Sequence, residues 1–447
     1  MKAKRIILVL AALALLGLGA GIAYRWLTAS EEDLGGVVEN IPKAAADLGP
    51  IQRGEADWPC WGGPNHDNRS AVTGIRTDWS RGLKKIWEIH YLCQGERAST
   101  WSAPAVQGNR LVVPGRAEAG DLVFCLDPQT GKLLWHQSYR AKADAERGPG
   151  ARATPSIDGD RVYTFGRSGD LACWHLRDGR MLWRRNVRDD GGEEPRWGYA
   201  SSPLVYEDKV VVQAGGTALA IAYDKMTGRV VWKSDGGRAG YASVRLLKVG
   251  GATQLLVFHG SGLAGLEADS GRQIWAHAWQ TDYGVNATTP AVAGATVFIT
   301  SDYGVGCAAL RVTDAGAEVL WRSKAIASHH SDPILLDGYV YGYSGKSDQN
   351  RGYFVCVELA SGQERWRTRE IGWGTTVYVD GHLLCMDIKG NLFLVWPDPA
   401  AFKKVTEHRG ALPSVGQHAW TLPVIANGKV YLRYRQTLVC YDLRGGP

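Results

Sequence analysis

Seven tryptophans recur at an almost constant spacing through the middle of the chain. Consecutive members are 48, 48, 49, 43, 46 and 45 residues apart. The series is Trp87, Trp135, Trp183, Trp232, Trp275, Trp321 and Trp366. A period of this length is typical of proteins built from repeated supersecondary units, each of which needs its neighbours to bury a core. The spacing therefore predicts a repeat architecture.

Each repeat contains two recurring phrases. The first runs from an Asp or Thr through Gly to the Trp, as in Asp127–Trp135 and Asp224–Trp232, and places a hairpin turn between two short apolar runs. The second contains a proline that opens a β-rich run, as at Thr154-Pro155 and Thr289-Pro290. Proline cannot donate to a β-ladder, so it belongs at the first residue of a strand. Each repeat is therefore predicted to contain four short strands.

The repeats predict an all-β fold, an eight-bladed β-propeller over residues 57–447. The 354 residues from Trp87 to Tyr441 hold eight units of about 44 residues, the length of a four-stranded blade. The last repeat ends after its third strand, and the segment Leu83–Ile89 has a fourth strand with no repeat before it. We expect the two ends to share one blade and close the ring. A β-sandwich or several small β domains would leave this split repeat unexplained.

Composition supports the β prediction and limits the classes of partner. The chain has 56 Gly, 18 Trp and 18 Tyr against 7 Phe and 4 Met, which disfavours a helical fold because Gly is poor in helices and Trp and Tyr suit pleated sheets. The formal net charge is +6, and +3 without the N-terminal Lys2, Lys4 and Arg5. This bias is too mild to indicate nucleic acid as a partner.

The N-terminus has the features of a targeting segment. The three basic residues precede an uncharged run from Ile6 to Tyr24, so residues 1–25 are predicted to be a signal peptide or a signal-anchor helix. The length of the run does not distinguish a cleaved signal peptide from a signal-anchor helix. A buried N-terminal helix is a third alternative. Residues 26–56 are predicted to be a linker. We expect an extracytoplasmic protein, periplasmic or secreted, which an uncleaved segment would attach to the inner membrane.

Eight cysteines in an exported protein invite a disulfide interpretation. Four of them occupy one equivalent position in separate repeats, where the roughly 10 Å between packed sheets exceeds the roughly 7 Å that a disulfide spans between Cα atoms. These four, predicted to be reduced core residues, are Cys125, Cys173, Cys356 and Cys440. Cys60 and Cys93 remain a candidate pair. The sequence has neither the Cys-x-x-Cys-His motif of covalent haem nor paired Cys-x-x-Cys motifs for zinc.

The Pro entry, the Asp-x-x-Thr-Gly turn and the closing Trp together resemble the PQQ-like β-propeller repeat. Quinoprotein alcohol dehydrogenases and the outer-membrane assembly scaffold BamB share this repeat. Further motifs are similar to a bacterial group described as PQQ-binding-like propeller repeat proteins, in which an Arg usually follows the second Trp of the first motif; here that position is Gly62. These motifs are Trp58–Pro64, Val285–Pro290, Tyr303–Cys307, His329–Pro333 and Trp420–Pro423.

The resemblance makes PQQ with Ca²⁺ a candidate cofactor but does not establish it, since fold and function separate readily. Quinoprotein dehydrogenases typically have two adjacent cysteines in a disulfide against the quinone, a Ca²⁺ bound through Glu and Asn, and an Asp base. This sequence has no Cys-Cys pair. Asp282 faintly resembles the segment with the catalytic Asp, but an ordinary turn aspartate is the favoured interpretation. We therefore assign no catalytic residue.

A ligand is predicted at the channel face that carries the loops into the innermost strands. Aromatic residues, histidines and an arginine lie three or four positions before the proline that opens the first strand of a blade, and further cations lie in the turns on the same face. Such rings could stack against a planar or sugar ligand, and the cations could pair with its anionic groups. The alternative is that the charges are solvated and the Trp rings pack between blades. The predicted site is Trp101, Arg152, Arg167, Tyr241, Asn286, His329, His330, Trp373, Lys389, His418 and Trp420, with Tyr199, Arg116, Lys346 and Arg435 nearby. For the paired histidines we favour a hydrogen-bonded rim role over metal binding.

Two functional classes remain. We favour a non-catalytic binding or scaffold propeller that takes a protein or a small anionic or sugar ligand at the channel face, and we expect a monomer. The alternative is a PQQ-dependent oxidoreductase without the usual disulfide. A hydrolase or lyase is disfavoured because the sequence has no nucleophile-plus-base pattern.

Overall fold

The computed structural model describes residues 41–95, 98–142, 148–345, 352–413 and 418–444. The regular secondary structure of the described chain is almost entirely β-strand, with a single-turn 3-10 element at Asp282–Gly284. In chain order the strands are β1 Arg69–Ser70, β2 Lys84–Ile89, β3 Ala105–Gln107, β4 Arg110–Arg116, β5 Gly120–Leu126, β6 Leu133–Arg140, β7 Ser156–Asp158, β8 Arg161–Phe165, β9 Asp170–His175, β10 Met181–Asn186, β11 Leu204–Tyr206, β12 Lys209–Gly215, β13 Ala218–Asp224, β14 Val230–Lys233, β15 Arg245–Val249, β16 Ala252–His259, β17 Gly262–Glu267, β18 Gln273–Ala278, β19 Ala291–Ala293, β20 Thr296–Ser301, β21 Gly306–Val312, β22 Ala317–Ser323, β23 Ile334–Leu336, β24 Tyr339–Ser344, β25 Tyr353–Glu358, β26 Glu364–Thr368, β27 Gly374–Val379, β28 His382–Asp387, β29 Leu392–Trp396, β30 Lys403–His408, β31 Val424–Ala426, β32 Lys429–Tyr434 and β33 Thr437–Asp442.

The strands form eight sheets, which are the eight predicted blades; the four strands of each blade pair antiparallel, and β1 adds to one blade in parallel. Blades 1 to 7 are β3–β6, β7–β10, β11–β14, β15–β18, β19–β22, β23–β26 and β27–β30, and blade 8 is β31–β33 with β2. The first strands of adjacent blades contact each other, as β3 does β7 and β19 does β23. These first strands therefore line the central channel, and the apolar side chains between the sheets form the core. The all-β eight-bladed propeller is confirmed.

The two ends of the ring close in one blade, as the split repeat predicts. Strand β2 pairs antiparallel with β33, with Lys84 opposite Asp442, Trp87 opposite Cys440 and Ile89 opposite Leu438. The N-terminal strand is thus the outermost strand of a blade whose other three strands come from the C-terminus. The first and last repeats are thus joined within one sheet, and blade 8 has the same four strands as the other blades.

The recurring Trp and Gly meet across the boundaries between blades. The indole nitrogen of Trp87 donates to Pro128 O at 3.0 Å, in the turn of the next blade, and that of Trp135 donates to Leu176 O at 3.0 Å. Gly131, in the first of these turns, has φ of +70° and lies flat against the Trp87 ring, where a Cβ would come within 2.8 Å of an indole carbon. The turn requires a Gly because of the positive φ, and the Trp ring can pack against the turn only because Gly has no side chain. This explains why Gly and Trp recur together in the repeats.

The cysteine predictions have separate outcomes. The four equivalent cysteines are buried, unpaired and on the third strands of blades 1, 2, 6 and 8, as predicted. The candidate pair of Cys60 and Cys93 is wrong, because both thiols are free. Cys60 donates to Gly63 O at 3.1 Å inside its own loop, while the backbone of Cys93 bridges to Arg116 of blade 1.

The predicted signal or anchor helix, residues 1–25, lies outside the described residues. Within the described ranges, no helix is long and apolar enough to cross a membrane. Part of the predicted linker is attached to the ring: Ala45 N donates to Leu133 O at 2.9 Å, and Arg110 of blade 1 donates to Gly49 O at 3.1 Å. Leu48 and Ile51 pack against apolar side chains of blades 1 and 2. This stretch therefore follows the outside of the propeller.

Candidate functional site

Aromatic side chains form a continuous arc around one mouth of the channel, on the face that carries the loops into the first strands. Neighbouring ring centroids along the arc are 5.0 to 6.5 Å apart, within the range of direct ring contact. His418 and Trp373 adjoin it, with centroids 4.7 Å from Trp420 and 4.8 Å from His330. In order, the aromatic arc is Tyr434, Trp101, Trp420, His330, His329, Tyr303, Tyr283, Trp197 and Tyr241.

Arginines accompany the arc at both of its ends. At one end, Arg435 lies over the Trp101 ring at 5.8 Å. At the other, Arg196 lies 5.0 Å from the centroids of both Trp197 and Tyr283, an arrangement that favours cation–π attraction. Exposed guanidinium groups thus stand beside ring faces, so the mouth presents flat apolar surfaces with positive charge at their edges.

Arg152, Arg167 and Tyr241, which are far apart in sequence, are brought together at this mouth. Arg152 donates to Trp197 O at 2.6 Å, and Arg167 pairs with Glu194 at 3.2 Å. Burial raises the pKa of the Tyr241 hydroxyl, and the positive charges of Arg152 and Arg167 act against that rise. The predicted convergence of these three side chains is present in the structure.

Other predicted residues lie away from the mouth surface. The Asn286 amide is fully buried, donates to His259 O at 2.7 Å and Trp279 O at 3.1 Å, and accepts from Ser301, so it holds the loop together. Trp373 is buried beneath His330. Tyr199 is a core residue whose hydroxyl donates to Ala214 O. These residues support the mouth from below and have no surface to offer a ligand.

Of the cations predicted in turns at the mouth, one is buried, one is exposed and one lies outside the described residues. Arg116 is wholly buried and pairs with Asp121 at 3.0 Å, so the prediction that it is a rim cation is wrong. A strand-end arginine was assigned to a turn because sequence does not show where β4 ends. Lys389 is exposed in the turn after β28, as expected. Lys346 lies outside the described residues.

The sequence analysis missed four residues that complete the arc: Trp197, Tyr283, Tyr303 and Tyr434. Tyr283 is 55% exposed. Tyr283 and Tyr303 have φ of +61° and +62°, a left-handed conformation that is costly for a large side chain and often marks a functional loop. The available signal was the Tyr-Gly dipeptide at both positions, 283–284 and 303–304, since such pairs occur in tight turns.

The channel itself contains a segment of this chain, residues 56–70, which we call the channel plug. Trp58 exchanges two backbone hydrogen bonds with Val106 of β3, at 2.8 and 3.0 Å. The plug then crosses to the far side, where its last residues form β1, which pairs in parallel with the inner edge of β27. Counting side-chain bonds, the plug contacts blades 1, 2, 4, 5, 6, 7 and 8. It ties the first strands of the ring to one another.

Trp61 anchors the middle of the plug. Its indole nitrogen donates to Thr289 Oγ1 at 2.8 Å and to Asp332 Oδ2 at 3.0 Å, so three of the motifs noted in the sequence meet inside the channel. Asp332 is buried and also accepts from the Thr289 backbone at 2.7 Å. Burial raises the pKa of Asp332 to about 6, although these donors oppose the rise.

Cys60 and His66 form a close pair in the plug, with Sγ 3.6 Å from Nδ1. Burial raises the pKa of the Cys60 thiol to about 12 and, with the nearby Arg245 charge, lowers the pKa of His66 to about 4. Both groups are therefore neutral at physiological pH. Burial thus keeps this pair uncharged inside the plug.

The residues of this chain do not fit the quinone and calcium site that the resemblance implies. Asp282, the candidate base, is exposed in the 3-10 turn. In the described ranges, no three His, Cys, Asp or Glu side chains come together to hold a metal ion. The sequence has no adjacent cysteines to form a disulfide against a quinone. We therefore derive no step through PQQ.

Comparisons with solved structures agree with the fold. The crystal structure of BamB from Moraxella catarrhalis superposes with a TM-score of 0.57 at 16% identity, covering 82% of this chain and 99% of that chain. A europium-containing methanol dehydrogenase gives a TM-score of 0.62 at 13% identity, covering 84% and 89%. At these identities the likeness concerns the fold alone.

Sequence comparisons are more specific. An outer membrane protein assembly factor BamB from Burkholderia pseudomallei is 27% identical over 225 residues, which are 47% of this chain and 55% of that protein. The chain thus spans only about half the length of this relative. The model of the family described as outer membrane protein assembly factor BamB matches residues 119–368, more than half of the 447 residues. The chain therefore belongs to this family.

Proposed function

We propose that this protein is a non-catalytic binding or scaffold propeller that works outside the cytoplasm and takes its partner at the channel mouth. The aromatic arc is the observation that carries the proposal. Its nine rings come from loops and turns of six blades, and it ends at arginines on both sides. A purely structural rim would need only small or solvated side chains there. A partly exposed row of rings with cations suits a partner that stacks and carries negative charge.

The partner is a protein or a small anionic or sugar ligand. Relatives named outer membrane protein assembly factors support a protein partner and an extracytoplasmic location. Arg152, half-buried beside Tyr241, supports recognition of a carboxylate or phosphate on either kind of partner, because guanidinium groups bind such anions with two parallel hydrogen bonds. Arg167 is buried and paired with Glu194, so it supports this recognition by adding positive charge beneath the mouth surface. The plug in the channel supports binding at the mouth rather than deep along the axis.

Photo-crosslinking tests where the partner docks. A benzophenone amino acid at position 283 stands on the mouth, whereas the same group at Trp396, which is 48% exposed at the end of β29, stands on the opposite face. We expect a discrete crosslinked species from position 283 in the native envelope and none from position 396. Crosslinks from position 396 alone would overturn the assignment of the face.

A paired mutation tests the arginines. For a partner captured in this way, changing Arg152 and Arg167 to Ala should weaken binding by about 2 to 4 kcal/mol, the usual scale for losing charged hydrogen bonds in a site. Lys225→Ala is the matched control, because Lys225 pairs with Asp158 on the opposite face at 2.7 Å. Equal losses for the two changes would contradict the proposal.

The oxidoreductase alternative has its own test. The purified protein is incubated with PQQ and Ca²⁺, separated from free quinone, and assayed for dye-linked oxidation of alcohols. We expect neither a retained quinone absorbance nor turnover. Stoichiometric quinone with alcohol oxidation would overturn the non-catalytic assignment.

A further inference from the structure

The outermost strand of blade 3, β14, is an edge strand with apolar side chains exposed to solvent. The strand order in this blade is β11-β12-β13-β14, so β14 pairs with a neighbour on one side only. Val230 and Val231 are 38% and 45% exposed, and Met226, in the turn just before the strand, is 51% exposed. An open strand edge beside apolar side chains is a surface on which another extended segment can pair.

The equivalent positions of the other blades are polar or less exposed. Val230 and Val231 are the two residues before the recurring Trp. In blades 1, 2, 4, 5, 6, 7 and 8 the pairs are Leu133-Leu134, Met181-Leu182, Gln273-Ile274, Val319-Leu320, Glu364-Arg365, Lys404-Val405 and Lys85-Ile86. Among these eight pairs, all within the described ranges, only the one in blade 3 is apolar at both positions and exposed at both. Charged residues, such as the lysines in blades 7 and 8, are the usual protection of an open edge.

Blade 1 shows what covers an apolar edge at this position. Leu133 and Leu134 are buried, and Ala45 of the preceding stretch of chain donates from its backbone to Leu133 O at 2.9 Å. Leu48 of the same stretch packs against the apolar cluster that contains Leu134. The cover is thus a polypeptide segment that bonds to the strand edge through its backbone and shields the edge with apolar side chains. Blade 3 has the same edge without this cover in the described part of the chain.

The backbone of Val230 is oriented for such a contact. Asp224 N donates to Arg229 O at 2.8 Å, and the next residue of β14, Val230, lies opposite Tyr223. In an antiparallel ladder this pattern makes Tyr223 and Val230 a pair without mutual hydrogen bonds. The N–H and C=O groups of Val230 therefore point away from β13, toward the open side of the sheet.

Blade 1 has the same ladder pattern. Asp127 N donates to Lys132 O at 2.9 Å, and the outward carbonyl of Leu133 is the one that accepts from Ala45. The carbonyl of Val230 has the equivalent orientation. Within the described ranges, no backbone N–H from outside blade 3 donates to it.

Cations flank the apolar pair. Arg229 precedes it and Lys233 ends the strand, and both are exposed. The Lys233 ammonium donates to the backbone oxygen of Asp190. Opposite charges on paired strands attract, and like charges repel. A segment with a short apolar run between acidic residues therefore fits this edge better than a basic segment.

We propose that β14 is a docking site for an extended segment of another protein, apolar at its centre and acidic at both ends, which adds to blade 3 as a fifth strand. The backbone of the segment bonds to the outward N–H and C=O of Val230. Its apolar side chains cover Val231 and Met226, and its carboxylates face Arg229 and Lys233. The edge lies on the outer rim of the ring, so this proposal goes beyond the channel mouth and does not depend on it.

A phage-displayed library of random octapeptides, selected on the purified full chain, tests the proposal. We expect selected peptides with alternating apolar residues at the centre and Asp or Glu at both ends. Val230→Pro should weaken them by about tenfold or more, because it removes the outward N–H but no bond of the ladder with β13. Gln273→Pro is the matched control, since Gln273 has the same position in blade 4. It should leave the affinity unchanged.

Two further variants test the charge and the openness of the edge. Arg229→Glu should weaken the selected peptides but not their counterparts with Asn and Gln in place of the acids. Val231→Cys should react with a maleimide as fast as Val405→Cys, because Val405 is the equivalent exposed residue of blade 7.

Three results would overturn the proposal. The first is that no selected peptide is weakened by Val230→Pro, and the second is that Gln273→Pro weakens the peptides equally. The third is slow labelling of Val231→Cys alone, which would mean that residues 1–40 or a second copy of the chain already cover β14; sedimentation distinguishes these two. The crosslink from position 283 is independent of all three, so the proposed function can stand or fail separately.

Discussion

Replacing Trp61 by Phe tests whether the channel plug stabilises the ring. The indole nitrogen donates to Thr289 Oγ1 and to Asp332 Oδ2, and Phe removes this donor while keeping an aromatic ring of similar shape. Asp332 is only 5% exposed, so solvent compensates poorly for the lost donor. The substitution therefore isolates the hydrogen bonds that join the plug to blades 5 and 6.

The expected cost depends on the charge of Asp332. A hydrogen bond to a charged group contributes about 1.5–3 kcal/mol to stability, and one to a neutral group about 0.5–1.5 kcal/mol. Burial raises the pKa of Asp332 in the folded state to about 6. A carboxyl group with a raised folded-state pKa favours folding most at low pH, where it is protonated, and this contribution is lost as pH rises through about 4 to 6. Trp61→Phe should therefore cost about 1 kcal/mol at pH 5 and about 2 to 3 kcal/mol at pH 8.

Urea-induced unfolding followed by far-UV circular dichroism measures both values. Trp396→Phe is the matched control, because Trp396 is 48% exposed and its ring lies beside His382 of its own blade. We expect the control to stay within about 0.5 kcal/mol of wild type at both pH values, as surface substitutions usually do. The reasoning is refuted if the two variants unfold alike, or if the deficit of Trp61→Phe is larger at pH 5 than at pH 8.

Two further predictions concern the repeats. Cys125 and its equivalents in blades 2, 6 and 8 should resist N-ethylmaleimide until the protein unfolds, because all four are buried and burial raises the pKa of each thiol. Mass spectrometry measures the labelling. Rapid labelling of the native protein, or a disulfide between any two of the four, would contradict the blade alignment. Gly131→Ala should destabilise the protein by clearly more than Gly294→Ala: both glycines have positive φ, but a Cβ at 131 meets the Trp87 ring at 2.8 Å and one at 294 meets nothing within 4 Å. Equal urea midpoints for the two variants would show that the contact between Gly and Trp is unimportant.

The fold was predictable because its determinants are local and repeated. A turn such as that around Gly131 is encoded within a few residues, and eight copies make even a weak signal clear. The pairing of β2 with β33 is a contact between distant ends, yet it followed from counting, since one repeat lacked a strand and one strand lacked a repeat. The failed pairing of Cys60 with Cys93 had no such repetition behind it.

The position of the mouth was predictable from the sequence, but only some of the side chains that form its surface were. Residues at fixed distances from an entry Pro, such as Trp101 and His330, must lie near the channel in any propeller. Whether a side chain reaches the surface depends on loop conformation, and there the prediction failed for Asn286 and Arg116. The conformations that project Tyr283 and Tyr303 are set by single left-handed residues, which no periodicity reveals.

The sequence by itself determined the number of blades, the strands in each, the closure of the ring and the face that gathers aromatic residues. Only the tertiary structure decided that residues 56–70 fill the channel. The Trp58–Pro64 motif was visible in the sequence, but Trp61 bonds to residues 228 and 271 positions away, in two different blades. Contacts of that kind arise because ring closure brings eight first strands around one axis and leaves a channel to be filled. Hydrogen-bond partners that meet only because the ring closes are far apart in the sequence, so they produce no local sequence pattern.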